Sequence, residues 1–382
     1  MPLAERSLSA RRNVLRASLA FVAKEPVLVV LLIALVLLQV FHPRRWTSLP
    51  ALVDWQTVST LTGLLILTKA VESSGFLMWA AHRVVHHIHS ERALACLLVS
   101  VAALLSTLLT NDVALFVVVP LALSLHKLTP LPLKRLVIFV ALAVNAGSIL
   151  TPLGNPQNLF LWQTSGVSFG RFVWALAPLC AALMAMLYLL TAAAFRGTAL
   201  DLSTDVESHP VDRRLVGVAA LLFVSFVVLA DAHRAGLALA GIAMGFLIWR
   251  PKTVLKIDWL LLLIFVLMFV VLRSVAALPW VHQMVGELQL ATPLKTYAAG
   301  AILSQGISNV PAAIMLAEFT KDWRAIAFGV SVGGFGLAIG SLANLIAMRL
   351  ANERGILLQF HLFSVPFWLI GGMLGGWLLL HF

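Results

Sequence analysis

Long apolar runs separated by short polar segments fill most of this chain. A helix rises about 1.5 Å per residue, so about 20 apolar residues cross the hydrocarbon core of a bilayer. The pattern therefore predicts an all-α polytopic membrane protein. Apolar helices are expected near residues 26–41, 54–79, 93–125, 134–163, 172–195, 214–232, 236–249, 258–281, 297–319, 325–349 and 361–381.

Polar residues interrupt two of these runs near their midpoints. Residues 110–112 read Thr-Asn-Asp, and residues 308–310 read Ser-Asn-Val. Polar backbone and side-chain groups persist at membrane depth only where they are buried in protein or line a polar cavity. We therefore expect both runs to be re-entrant hairpins, each with its tip at the polar residues.

Two further runs predict broken helices. Residues 145–161 contain two prolines, two glycines, three asparagines and a glutamine. Pro152 and Pro156 remove backbone donors, and Gly154 permits backbone angles that other residues avoid. Residues 331–347, aligned without gaps, repeat both glycines and the last asparagine but neither proline. A second broken helix is expected there.

These features recur in the same order in both halves of the chain. Asp54-Trp55 is followed by Lys69, and Asp258-Trp259 is followed by Arg273 at the same spacing. Counting crossings gives about nine full spans and places the halves in opposite orientations, because an extra span near residue 214 precedes the second set. Two inverted-topology repeats with broken helices near the midplane are typical of secondary transporters.

The predicted boundaries follow from this count. Residues 1–25 are expected to form a cytoplasmic segment, residues 26–196 the first repeat, residues 197–213 a cytoplasmic linker and residues 214–382 the second repeat. Lys and Arg concentrate in segments that this topology places inside, as the positive-inside rule requires. We expect a multi-pass protein of the cell inner membrane with a cytoplasmic N-terminus, its first apolar run retained as a span.

Composition supports the membrane assignment and argues against other classes. The 382 residues are 61% hydrophobic and 11% charged, which is far too apolar for a soluble domain of this size. The net charge of +11 lies mostly in short loops beside apolar runs, so no nucleic-acid partner is expected. Cys96 and Cys180 stand singly in apolar segments, which predicts neither a disulfide nor a metal cluster.

The polar interruptions provide candidate chemistry. A helix that starts at a hairpin tip directs free amides and a partial positive charge at the membrane centre, which favours an anionic group. Unwound segments offer carbonyl oxygens to a small cation such as Na⁺. Asp112 is a carboxylate at membrane depth, where acids usually handle protons or cations. The alternative is that these residues only cap helix ends.

Lys69 and Arg273 lie roughly 22 Å along their helices, near the far edge of the membrane core, so their role stays open. An enzyme is not expected, because no nucleophile and base stand at matching depth. A passive channel is less consistent with two broken helices in inverted halves than alternating access is.

Three motifs resemble the ion transporter superfamily, which includes arsenite permeases, citrate-metal transporters, sodium/proton antiporters and divalent anion/sodium symporters. They are residues 110–112, the run TPLGNPQN at residues 151–158, and residues 308–311. The resemblance covers residues 26–381 and is strongest to small bacterial inner-membrane anion permeases. It implies an elevator-type carrier, usually a homodimer, with a scaffold and a moving transport domain.

The resemblance also implies site residues. The substrate-binding candidates are Thr110, Asn111, Ser308, Asn309, Asn155 and Asn344. The candidates for cation or proton coupling are Asp112, Gly154, Asn158, Gly340 and Ser341. The chain departs from the dicarboxylate members, because Asp112 and Val310 stand where those have threonine, and a fixed negative charge would repel a dicarboxylate.

Together these points predict a secondary active transporter for a small anion or oxyacid, coupled to H⁺ or Na⁺. The alternative is a Na⁺/H⁺ antiporter that carries no anion. No cofactor is expected beyond the coupling ion, and the expected partners are the substrate, the lipid bilayer and a second copy of the chain.

Overall fold

The computed structural model describes residues 25–85, 90–129, 131–199, 210–288, 290 and 292–382. Within these ranges the chain is helical, and the β pairing is confined to one isolated bridge between Ser90 and Ala199. The predicted all-α polytopic membrane fold is confirmed. The predicted N-terminal segment and most of the predicted linker lie outside the described residues.

The first half contains eight α-helices among the described residues. They are α1 (Pro26–Phe41), α2 (Trp55–Ser73), α3 (Phe76–Val85), α4 (Glu91–Leu108), α5 (Asn111–Leu128), α6 (Leu133–Gly147), α7 (Pro156–Ser165) and α8 (Phe169–Ala194). A 3-10 helix, Trp46–Leu52, lies between α1 and α2. Helices α4 and α5 meet at the first predicted tip, and α6 and α7 flank the first predicted break.

The second half repeats this order after one additional helix. Its helices are α9 (Arg213–Asp231), α10 (Ala235–Trp249), α11 (Pro251–Leu255), α12 (Trp259–Ala276), α13 (Pro279–Glu287), α14 (Pro293–Ile307), α15 (Asn309–Ala317), α16 (Trp323–Gly333), α17 (Leu342–Ala351) and α18 (Ile356–His381). A 3-10 turn, Ala338–Gly340, lies between α16 and α17. Helices α14 and α15 meet at the second tip.

Five helices in the described part are long and apolar enough to cross a membrane by themselves: α4, α8, α9, α12 and α18. A sixth span results if the 3-10 helix and α2, which meet at a bend of 66°, are taken together. The predicted count of about nine leaves out α4, which it assigns to the first hairpin, and includes the two broken helices and the shorter α1 and α10. That count, and the path of the chain through a membrane, stay predictions.

Local chemistry explains where α2 and α12 begin. The side chain of Asp54 accepts a hydrogen bond from the backbone N–H of Thr57 at 2.8 Å, and Asp258 accepts one from Leu261 at 2.9 Å. Each aspartate therefore caps its helix by satisfying a backbone donor that has no partner inside the helix. The matching Asp-Trp pairs mark helix starts.

The helix expected over residues 54–79 ends earlier, at Ser73, and α3 is a separate helix. The break is at Gly75, whose φ of +75° suits glycine and ends a right-handed helix. The equivalent prediction for residues 258–281 also divides, because α12 ends at Ala276 and Pro279 begins α13. A short helix thus follows each of these spans.

Corresponding helices of the two halves make corresponding contacts, both within each half and between the halves. Helix α6 packs against α4, and α16 packs against α14 in the same way. Across the halves, α6 packs against α17 while α16 packs against α7, and α5 packs against α17 while α15 packs against α7. Exchanged contacts of this kind are those of a two-fold relation. They are the contacts expected of broken helices that run antiparallel, as the predicted inverted repeats require; the inverted topology itself stays a prediction.

Candidate functional site

Two asparagines organise the first unwound loop, between α6 and α7. The side-chain amide of Asn158 donates to the carbonyl oxygens of Ser148, Ile149 and Thr151 at 3.2, 3.1 and 3.3 Å. Asn155 accepts from the backbone N–H of Asn158 at 2.8 Å and so caps α7. Its own amide donates to the Ser148 carbonyl at 3.2 Å. These bonds replace the backbone hydrogen bonds that an unbroken helix would make.

Gly154 brings this loop into backbone contact with the first hairpin. A Cβ atom built on Gly154 would lie 2.6 Å from the carbonyl oxygens of both Ser106 and Ser148. The hydroxyl of Thr151 donates to the carbonyl of Thr107 at 2.5 Å. Only glycine permits this approach, so Gly154 fixes the loop against the last turn of α4, directly before the tip.

The second loop, between α16 and α17, has related contacts. The amide of Asn344 donates to the carbonyl of Gly334 at 2.9 Å. A Cβ atom on Gly340 would lie 2.5 Å from the carbonyl oxygen of Gly333. The amide of Gln305 on α14 donates to that same Gly333 carbonyl at 2.8 Å. The second hairpin therefore holds the second loop as the first hairpin holds the first loop.

The second loop is anchored differently at its outer end. Ser341 stands at the N-cap position of α17, but its side chain makes no capping hydrogen bond. The loop is instead attached to α18, where Ser364 donates to the Gly336 carbonyl at 2.6 Å and His361 accepts from the Ala338 N–H at 3.1 Å. The absence of the two prolines thus coincides with a different set of loop contacts.

Corresponding positions in the two halves make corresponding hydrogen bonds. The Thr107 hydroxyl donates to the Gly147 carbonyl at 2.8 Å, just as Gln305 does to Gly333. The alignment of residues 145–161 with residues 331–347 pairs these two glycines. This pair of equivalent hydrogen bonds agrees with the register predicted from the sequence, and that register stays a prediction for the rest of the repeat.

The tip of the first hairpin presents polar groups that have no protein partner. Thr110 is the N-cap residue of α5, without a side-chain capping bond. Asn111 is buried, and its Oδ1 atom has no hydrogen-bond partner. Asp112 is half-buried in the first turn of α5, near the positive end of the helix dipole. Within the described part of the chain, no ion pair involves its carboxylate.

The tip of the second hairpin is strained. Ser308 has φ of +73° and ψ of 158°, a region that essentially only glycine adopts. Its hydroxyl lies 3.4 Å from Oδ1 of Asn309 and 3.5 Å from the carbonyl oxygen of Gly340, at the long limit for hydrogen bonds. Such a conformation costs about 1–3 kcal/mol and is common at functional sites.

Asn145 joins the two halves at the centre of the protein. Its amide donates to Oδ1 of Asn344 at 2.7 Å, and both side chains are buried. A Cβ atom built on Gly334 would lie 3.2 Å from Nδ2 of Asn309 and 3.5 Å from Oδ1 of Asn145. The structure thus brings together the second tip, the end of α6 and the start of α17.

Asn145 was not among the candidate site residues, although it begins the aligned segment. That alignment places Asn145 opposite Ser331. Predicted members that the structure brings close together include Asn309 and Asn344. Asn155 and Asn158 are committed mainly to the backbone of their own loop, so contact of Asn155 with a substrate stays a prediction.

The two basic residues within spans have partners away from this site. Lys69 forms an ion pair with Glu72 at 2.9 Å on its own helix. Arg273 forms one with Glu318 at 2.9 Å and also donates to the Leu52 carbonyl at 2.7 Å. Neither contact involves the tips or the unwound loops.

The chain is similar in sequence to known transporters and membrane proteins. A family model described as a citrate transporter, CitMHS, matches residues 19–322. The inner membrane protein YbiR of Escherichia coli is 43% identical over 335 residues, which are 88% of this chain and 89% of that protein. An uncharacterized transporter of Methanocaldococcus jannaschii, MJ0456, is 29% identical over 324 residues, or 84% and 87% of the two chains.

A plant protein matches a shorter part. The silicon efflux transporter LSI3 of Oryza sativa is 30% identical over 147 residues, which are 38% of this chain and 30% of that protein. The expected membership of the ion transporter superfamily is confirmed by the family match and the long alignments. The chain therefore belongs to the citrate transporter (CitMHS) family and is a multi-pass inner-membrane transporter.

Proposed function

We propose that this protein is a secondary active transporter that moves a small anion or oxyacid, coupled to H⁺ or Na⁺. The observation that carries the proposal is the unpaired carboxylate of Asp112 at a hairpin tip, beside a buried amide oxygen of Asn111 without a partner. Intramembrane acids usually handle protons or cations, and such a group is costly to retain without a role.

The charges around the tips support coupling. Helices α5 and α15 each begin at a tip, and each N-terminus carries about half a positive charge. An ionised Asp112 offsets the positive end of α5, on which it lies, while Lys69 and Arg273 are paired with glutamates elsewhere. An anion can therefore bind favourably only when a proton or a cation compensates Asp112. This links substrate binding to the coupling ion.

The balance of charges at the hairpin tips also limits which substrates can bind. The family model is named for citrate, and the plant relative for silicon. A polyvalent carboxylate would meet the fixed charge of Asp112 with no basic side chain of the described residues at the site. A neutral oxyacid or an anion of low charge fits better. As a carrier, the protein would perform no covalent chemistry.

We further propose an elevator-type movement in a homodimer, with a cytoplasmic N-terminus. The support is the antiparallel crossing of the broken helices and the exchanged packing of the hairpins. Residues 26–196 and 214–382 would then be the two inverted repeats. Helices α1, α2, α9, α10 and α12 would form much of the scaffold, since α2 packs with α9 and α10 and α12 packs with α1.

Uptake into proteoliposomes tests the proposal. The panel contains citrate, arsenite, silicic acid and inorganic anions, with an imposed pH or Na⁺ gradient or none. We expect gradient-driven uptake of at least one compound, and loss of the gradient dependence in Asp112→Asn. Asp322→Asn is the matched control, because Asp322 caps α16 and asparagine caps equally well. Unchanged coupling in Asp112→Asn would refute the role of Asp112.

The alternative is a Na⁺/H⁺ antiporter without an anion substrate. It is favoured by one observation: among the described residues, Oδ1 of Asn111, Oδ1 of Asn158 and Oγ of Ser331 are buried oxygens without a hydrogen-bond partner. Oxygen atoms suit a hard cation. A pH change inside Na⁺-loaded vesicles in the absence of any permeant anion would identify the antiporter, and its absence would favour anion transport.

A further inference from the structure

The broken helices of the two halves cross at two equivalent places, and the two crossings differ. At the first crossing, the amide of Asn145 in the first half donates to Oδ1 of Asn344 in the second half at 2.7 Å. The register of the repeat pairs Asn145 with Ser331 and Asn344 with Asn158. The equivalent bond would run from Ser331 to Asn158, across the packed helices α16 and α7. That bond is not formed, and both atoms that would make it lack a partner.

By the repeat relation, three buried oxygens belong to the second crossing. Oδ1 of Asn158, Oγ of Ser331 and Oδ1 of Asn111 have no hydrogen-bond partner, and the residues are 0%, 3% and 7% exposed. Buried polar atoms nearly always have partners, and each one left alone costs about 1–3 kcal/mol. The three residues are the repeat counterparts of Asn344, Asn145 and Asn309, which lie together at the first crossing.

The missing group must carry positive charge or donate hydrogen bonds. At the first crossing, the NH₂ group of Asn145 faces the acceptor oxygen of Asn344. On the other side, serine is shorter than asparagine and supplies no amide. Two amide oxygens and one hydroxyl oxygen remain there. In transporters with broken helices, carbonyl oxygens of unwound segments coordinate Na⁺. Side-chain amide and hydroxyl oxygens are hard donors of the same kind.

We propose that the side-chain amide of Asn145 takes, at the first crossing, the place that a monovalent cation takes at the second crossing. The carrier then binds one cation at this level of the fold, between Asn111, Asn158 and Ser331. The equivalent position at Asn344 is filled by the protein itself. The inference rests on the proposed cation coupling and adds the ligands and the number of ions.

Ser331→Asn tests this directly, because it supplies the amide that the second crossing lacks. Thermal unfolding of the purified full-length protein is measured in choline chloride and with added Na⁺, Li⁺ or K⁺. We expect one of these ions to raise the Tm of the wild type. We expect Ser331→Asn to abolish that rise and to have a higher Tm than the wild type in choline.

Two variants keep the test decisive if Ser331→Asn does not fold. Ser331→Ala removes one oxygen and should weaken cation affinity by about tenfold, the effect of losing about 1.4 kcal/mol. Asn145→Ser should open the second position and raise the number of bound ions, measured with radioactive Na⁺ when Na⁺ is the stabilising ion. Unchanged cation affinity in Ser331→Ala, or an unchanged ion number in Asn145→Ser, would overturn the proposal.

Two results with the wild type and Ser331→Asn would also overturn the proposal. If the ion stabilises the wild type and Ser331→Asn equally, the cation binds elsewhere. If no ion stabilises the wild type, the missing group is a water molecule. Transport remains a separate readout: pH-driven uptake that depends on Asp112 would leave the proposed function standing while this cation site is rejected.

Discussion

Gly154→Ala examines whether the first unwound loop must touch the first hairpin. The added Cβ would lie 2.6 Å from the carbonyl oxygens of Ser106 and Ser148, and both are backbone atoms. Normal contacts begin near 3.5 Å, so the loop or the hairpin must move by about 1 Å. Overpacking of this kind costs about 1–3 kcal/mol.

This shift would displace the loop that Asn155 and Asn158 organise. We therefore expect Gly154→Ala to lower the Tm of the purified protein and to reduce cation-dependent uptake in proteoliposomes. Gly170→Ala is the matched control, because nothing lies within 4 Å of its added Cβ in the first turn of α8. That control should be neutral or stabilising by up to about 1 kcal/mol. Wild-type uptake and Tm in Gly154→Ala would refute the close-contact argument.

Two further predictions concern the second tip and the paired cations. Ser308→Gly should relieve the backbone strain and raise thermal stability by about 1–3 kcal/mol, whereas Ser308→Ala should not, and substrate uptake should fall in both. A lower Tm for Ser308→Gly would contradict the strain. Lys69→Gln and Arg273→Gln should change substrate affinity by less than about tenfold, because their ion pairs are partly exposed and lie away from the tips. A larger loss of substrate affinity, measured by a binding titration, would show that these two residues take part in substrate binding.

Helix positions could be predicted from local chemistry. The starts of α2 and α12 follow from the capping carboxylates of Asp54 and Asp258, and the first break follows from Pro152, Gly154 and Pro156. These effects act within a few residues of the chain. The end of α2 was missed because the apolar pattern continues past Gly75, and hydropathy alone does not register a left-handed backbone conformation.

The sequence located the functional residues less completely than it located the helices. The sequence identified both tips, and comparison with relatives confirms the family on which their assignment drew. Asn145 was missed because its importance depends on Asn344, which lies 199 positions away. The partners of Arg273, Leu52 and Glu318, are likewise distant in the chain and could not be inferred from spacing.

The sequence by itself determined the helical membrane fold and the positions of the main helix breaks, because hydropathy, proline and capping act locally. Only the tertiary structure decided which polar atoms have partners, since that depends on how distant helices approach one another. Asn145 and Ser331 occupy matching positions, yet one completes a hydrogen bond and the other leaves three oxygens unpartnered. This difference in side-chain length carries the proposal of a single cation.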